Sequence, residues 1–104
     1  MNKIQCISPV DGSIYAERNY LNEFDAIKRI ERARSSQKTW AMVPLRERIQ
    51  LIEAGVSKLG ESNEQVINEL AWQMGRPIRY GGEFNGVHER ASYMASIASD
   101  ALKD

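Results

Sequence analysis

The stretch Pro44-Leu45-Arg46-Glu47-Arg48-Ile49-Gln50-Leu51-Ile52-Glu53-Ala54-Gly55-Val56-Ser57-Lys58-Leu59-Gly60 decides how this chain folds. Leu45, Ile49, Ile52, Val56 and Leu59 recur at spacings of four, three, four and three. That rhythm places them along one side of an α-helix as a clean apolar stripe. Pro44 suits the first helical position, where a missing N–H costs nothing. Gly60 is expected to close the helix as a left-handed C-cap. Gly55 lies inside the helix, where glycine costs about 1 kcal/mol relative to alanine. Its spacing from Ile52 and Leu59 puts it on the apolar side, so a second backbone is expected to cross there.

Upstream, Pro44 disfavours a helical conformation at Val43 and marks the end of an earlier helix near Trp40. That helix starts after Asn22, an N-cap with Asp25 three residues on. Ile27, Ile30, Ala33 and Ala41 lie close to one face, flanked by Phe24 and Trp40. Asp25 with Arg29, and Glu31 with Arg34, are favourable pairs at helical spacing. Before this helix, Ile4-Gln5-Cys6-Ile7-Ser8 alternates, Pro9-Val10-Asp11-Gly12 signals a turn, and Ile14-Tyr15-Ala16 resumes strand-compatible residues. The pattern predicts a β-hairpin over about 4–18.

Downstream of Gly60, Ser62 is expected to cap a third helix with Gln65 at the reciprocal position. Val66, Ile67, Leu70, Ala71 and Met74 form its apolar side, Gly75 ends it and Pro77 lies just beyond. A last helix is expected after Gly81-Gly82, with Phe84, Val87, Ala91, Met94, Ala98 and Ala101 repeating over about 20 residues. The fold class is therefore mostly α in this segment, about four amphipathic helices over about 23–102 with an N-terminal β-hairpin. No internal repeat or low-complexity tract interrupts residues 1–104, which read as one segment.

Fourteen Lys and Arg balance fourteen Asp and Glu, and a zero net charge argues against a nucleic-acid or anionic-membrane surface. No apolar run approaches the roughly 20 residues that span a bilayer. The opening residues do not resemble a signal peptide, so a cytoplasmic location is expected. Cys6 is the only cysteine and His88 the only histidine, which excludes an internal disulfide and a His-pair or multi-thiolate metal site.

Few residues suggest chemistry. Cys6 has no base near it in sequence and reads as a partly buried thiol. His88 lies one position off the apolar stripe and reads as a surface or boundary histidine. Gly81-Gly82 belongs to no phosphate-loop pattern and follows no strand, so it reads as a helix-breaking linker. Glu47, Glu53, Glu64, Glu69 and Glu83 are scattered over different helices without the pairing of an acid–base couple. No catalytic, cofactor-binding or metal-binding residue is expected in the chain.

The order of these pieces resembles the start of the aldehyde dehydrogenase superfamily. Ile7-Ser8-Pro9-Val10-Asp11-Gly12-Ser13-Ile14 is similar to its opening N-P-x-x-G hairpin, with Ser8 for the usual Asn. Ala33-Arg34-Ser35-Ser36-Gln37-Lys38-Thr39-Trp40 resembles A-x-x-A-Q-x-x-W, and Pro44-Leu45-Arg46-Glu47-Arg48 with Ile49, Leu51 and Ile52 resembles the E-R-x-x-x-L start of the next helix. Glu69-Leu70-Ala71-Trp72-Gln73-Met74-Gly75-Arg76-Pro77 is similar to E-L-A-x-L-E-x-G-K-P, with Gln73 and Arg76 for the commoner Glu and Lys. Asn85 stands where some members carry an Asp of a monovalent-cation site, and that site is not carried over.

The resemblance implies an N-terminal portion of an NAD(P)-dependent enzyme that oxidises an aldehyde to a carboxylic acid, part of an α/β nucleotide-binding domain in the parent protein. It implies NAD or NADP for that parent and no cofactor for this chain. The family's nucleotide loops, catalytic Cys, general-base Glu and subunit-joining arm fall beyond the equivalent of Asp104, so Cys6 is not its nucleophile. Expected partners are the remainder of the enzyme or further copies, through exposed apolar helix faces. The alternative is a free-standing helical interaction module derived from the segment; a third reading is a regulatory subunit of a separately encoded catalytic chain.

Overall fold

The hairpin forms because Asp11 and Gly12 can turn the chain between two β-compatible runs. The computed structural model of the protein describes residues 2–103. In it β1 (Lys3–Ile7) pairs antiparallel with β2 (Ile14–Asn19). Gln5 stands opposite Glu17 and Cys6 opposite Ala16, and a bulge follows at Cys6/Ile7. Gly12 takes a φ of 76°, in the region where a Cβ would be strained. Asp11 Oδ1 accepts hydrogen bonds from the Ser13 hydroxyl at 2.6 Å and the Ser13 amide at 2.9 Å. These two donors, the hydroxyl first, hold the Asp11 carboxyl below its ordinary pKa. Across the strands, Gln5 Nε2 donates to Glu17 at 2.6 Å and Lys3 Nζ lies 3.3 Å from the same carboxylate.

Four helices follow: α1 (Glu23–Ala41), α2 (Leu45–Gly60), α3 (Asn63–Met74) and α4 (Phe84–Ala101), with one 3₁₀ turn at Ile78–Tyr80 before α4. The first boundary matches the expected cap. Asn22 Oδ1 accepts from the Asp25 amide at 2.8 Å, and Asn22 Nδ2 donates back to Asp25 Oδ2 at 2.9 Å. Pro44 sits at the N-cap rather than inside α2, and its carbonyl accepts from the Arg48 amide at 3.1 Å. Gly75 ends α3 in the left-handed conformation with φ 73°.

Several local expectations do not hold. Gly60 is the last residue of α2 and Glu61 follows in right-handed geometry, so no left-handed cap forms there. Its reason is steric: a Cβ on Gly60 would stand 2.5 Å from Phe84 Cζ. Ser62 makes no side-chain capping bond, and Gln65 donates to Glu69 instead, at 3.0 Å. Gly55 has nothing within 4 Å of where its Cβ would be, so no backbone crosses there. The pairs Asp25–Arg29 and Glu31–Arg34 are absent from the ion pairs of the described residues; Asp25 is engaged by its cap.

α2 and α4 run antiparallel and form the main helix contact. Phe84 covers Gly60 at one end, while Leu45 and Leu102 meet across a groove at the other. The hairpin docks on the C-terminal end of α3. α1 reaches the α2–α4 pair only at its C-terminal end, through Trp40, and the rest of its stripe stays open, with Phe24 65% and Ile30 59% exposed. Lys28 folds back over the Phe24 ring, 4.4 Å from its centroid, which shields part of that face. Among the described residues no apolar side chain is fully buried. The radius of gyration is 18.3 Å, against about 13 Å for a compact chain of this length.

Candidate functional site

The one fully buried residue among those described lies where the hairpin meets α3. The last carbonyls of a helix lack intrahelical partners, and here the β1 end supplies them. Ser8 Oγ donates to the Trp72 carbonyl at 2.5 Å and accepts from the Val10 amide at 3.2 Å. Cys6 Sγ approaches the Gln73 carbonyl at 3.8 Å. A Cβ on Gly75 would come within 3.1 Å of Pro9 Cγ, so the left-handed cap also gives Pro9 its seat. Ser8, 1% exposed, is the one fully buried residue among those described. Ser8 is thus a helix-end partner.

Cys6 is half-buried beside that carbonyl, and among the described residues no cationic or basic group is bonded to its sulfur. This arrangement suits a packed thiol and supplies nothing to activate a nucleophile. His88 is exposed on α4, its ring tilted against Phe84 with centroids 5.8 Å apart. Glu53 and Ser92 share a shallow depression with it, without a hydrogen bond among them. No group of three His, Cys, Asp or Glu side chains among the described residues could hold a metal ion. The structure does not bring Glu47, Glu64, Glu69 and Glu83 together; Glu83 forms an ion pair with Arg76 instead.

Gly81-Gly82 follows the 3₁₀ turn and precedes α4, as a linker should. Gly82 has an added reason that sequence alone did not show. A Cβ there would stand 3.0 Å from both Asn63 Oδ1 and Ile67 Cγ1, so the chain passes close against α3. The Asn63 oxygen is buried in that contact without a hydrogen-bond partner. Asn85 sits exposed in the first turn of α4.

One feature escaped the sequence reading. Between α2 and α4 runs a groove of about 230 Å³, walled by Trp40, Leu45, Ile49, Ile52, Met94 and Leu102, with Arg48 as its cationic group. The signal was present: Arg48 lies three residues after Leu45 and four before Ile52, on the apolar side of α2. No helix of the described residues is long and apolar enough to cross a membrane.

Comparison with known proteins gives one match. The family model described as the aldehyde dehydrogenase family matches residues 1–104. No curated protein and no solved structure matches the chain. A match that spans every element described above, from the β1–β2 hairpin to α4, leads to one statement of kinship: this chain belongs to the aldehyde dehydrogenase family.

Proposed function

We propose that this chain is the N-terminal portion of an aldehyde dehydrogenase-like oxidoreductase, and that its residues scaffold the enzyme without performing its chemistry. In the complete protein the reaction is NAD(P)-dependent oxidation of an aldehyde to a carboxylic acid. The observation that carries this reading is exposed surface. The chain presents 8896 Å² to solvent, roughly 3,000 Å² more than a compact protein of its mass. An ordinary interface covers about 800 Å² per partner. A second copy docked in that way would leave most of the excess uncovered, whereas the body of a large enzyme would cover it.

The residues of this chain do not fit the dinucleotide itself. A pyrophosphate is held where a strand turns through glycines into a helix N-terminus. Here the two strands lead into a hairpin turn and into α1 through Tyr20-Leu21-Asn22. The Gly81-Gly82 entry to α4 is pressed against Asn63 and Ile67 and carries the Glu83 carboxylate at its N-cap. No step of the reaction is therefore assigned to these residues.

Calorimetric titration of the chain with NAD and with NADP tests the reading, followed by NADH or NADPH production from aliphatic, aromatic and semialdehyde substrates. The expected outcome is neither binding nor turnover. Nucleotide binding together with turnover abolished by Cys6→Ala would overturn it and make Cys6 a nucleophile.

A further inference from the structure

The groove between α2 and α4 combines two features with one consequence. Its walls are almost wholly apolar, and one guanidinium stands among them. Arg48 is half-buried. Its Nε donates to the Val43 carbonyl at 3.0 Å, which fixes the side chain toward the Leu45 end. No carboxylate of the described residues pairs with it. Removing a charge from water is costly unless a counter-charge meets it, and the planar guanidinium fork matches a carboxylate with two parallel hydrogen bonds.

We propose that this groove binds a medium-chain carboxylate, its head on the free edge of Arg48 and its tail against Ile49, Ile52 and Met94. Size and polarity choose the class. A volume of about 230 Å³ lies below the roughly 300–1,000 Å³ of drug- and cofactor-sized pockets, which leaves room for a short hydrocarbon chain. The cation lies toward one end and apolar side chains continue toward Ile52 and Ala91, an arrangement that suits a charged head and an apolar tail. Trp40, on the groove wall, supplies an intrinsic reporter.

The test uses the full chain carrying Trp72→Phe, so that Trp40 is its single indole, and follows Trp40 emission. Butanoate, hexanoate and octanoate are titrated below their aggregation limits, with 1-octanol and octylammonium as head-group controls. The expected result is a saturable shift whose affinity rises about fourfold for each added methylene. Octanoate is expected to bind about tenfold more tightly than either control. Arg48→Met should erase the preference for octanoate over octanol. Arg48→Lys, which keeps the charge and loses the fork, should retain the preference at lower affinity, with circular dichroism confirming that both variants keep their helices. Equal binding of octanoate and octanol, a preference that survives Arg48→Met, or no saturable shift with octanoate would each overturn the proposal. Arg48-dependent binding of an acidic amphipathic peptide in place of octanoate would overturn it in favour of a protein partner.

Discussion

A single hydroxyl joins the hairpin to the end of α3. Ser8 Oγ satisfies the Trp72 carbonyl, one of the orphan acceptors at the end of α3, while accepting from the Val10 amide. Replacing it with alanine would leave both groups without that partner, at a cost of about 1–2 kcal/mol. Ser8→Ala should therefore speed amide exchange across β1 and β2 by roughly tenfold or more while leaving α2 unchanged. Unchanged hairpin exchange would mean that Pro9 and Cys6 hold the junction without the hydroxyl. At this scale sequence alone reached only part of the answer. Asp11 and Gly12 announced their turn because their conformational preferences are local. Ser8 and Gly82 did not announce their contacts, because their partners, Trp72 in one case and Asn63 with Ile67 in the other, lie far away along the chain.

Elements were more legible than contacts between them. The apolar period fixed α1, α2, α3 and α4 to within a few residues, and Asn22 and Gly75 marked their ends by chemistry that acts within one turn. Packing was less accessible. The apolar stripe of α2 suggested a neighbour at Gly55, yet α4 meets α2 through the faces carrying Ile49, Ile52 and Gly60 and leaves Gly55 open. Nothing then opposes a methyl group at that position. Gly55→Ala is expected to stabilise α2 by about 0.5–1 kcal/mol through helix propensity and lost unfolded-chain entropy, read as a higher midpoint in thermal unfolding followed by circular dichroism. A lowered midpoint would show that a backbone does cross there. The groove that holds Arg48 belongs to the same scale: the spacing of Arg48 on α2 carried a signal that went unread, and the wall formed by Met94 and Leu102 required the antiparallel pairing of α2 with α4.

The whole molecule is a set of well-formed elements, with no buried apolar centre among the described residues. Its longest extent is 52 Å and its shortest 20 Å, and α1 touches the α2–α4 groove through Trp40 alone, leaving the rest of its apolar stripe open. Each helix pairs its interior backbone groups within itself, while the hydrophobic gain that normally offsets chain entropy is only partly realised. Open apolar faces of this extent mark contact surfaces, and on the present account those outside the α2–α4 groove meet the body of an aldehyde dehydrogenase. Without that body the faces can only meet one another. The most direct measurement is sedimentation equilibrium of the isolated chain over a dilution series, paired with ANS fluorescence. The account predicts a weight-average mass that climbs with concentration past that of a dimer, and ANS emission that is strongest at the dilute end. A strict monomer at every concentration, with no ANS binding, would show that the chain closes its own core and would contradict the account.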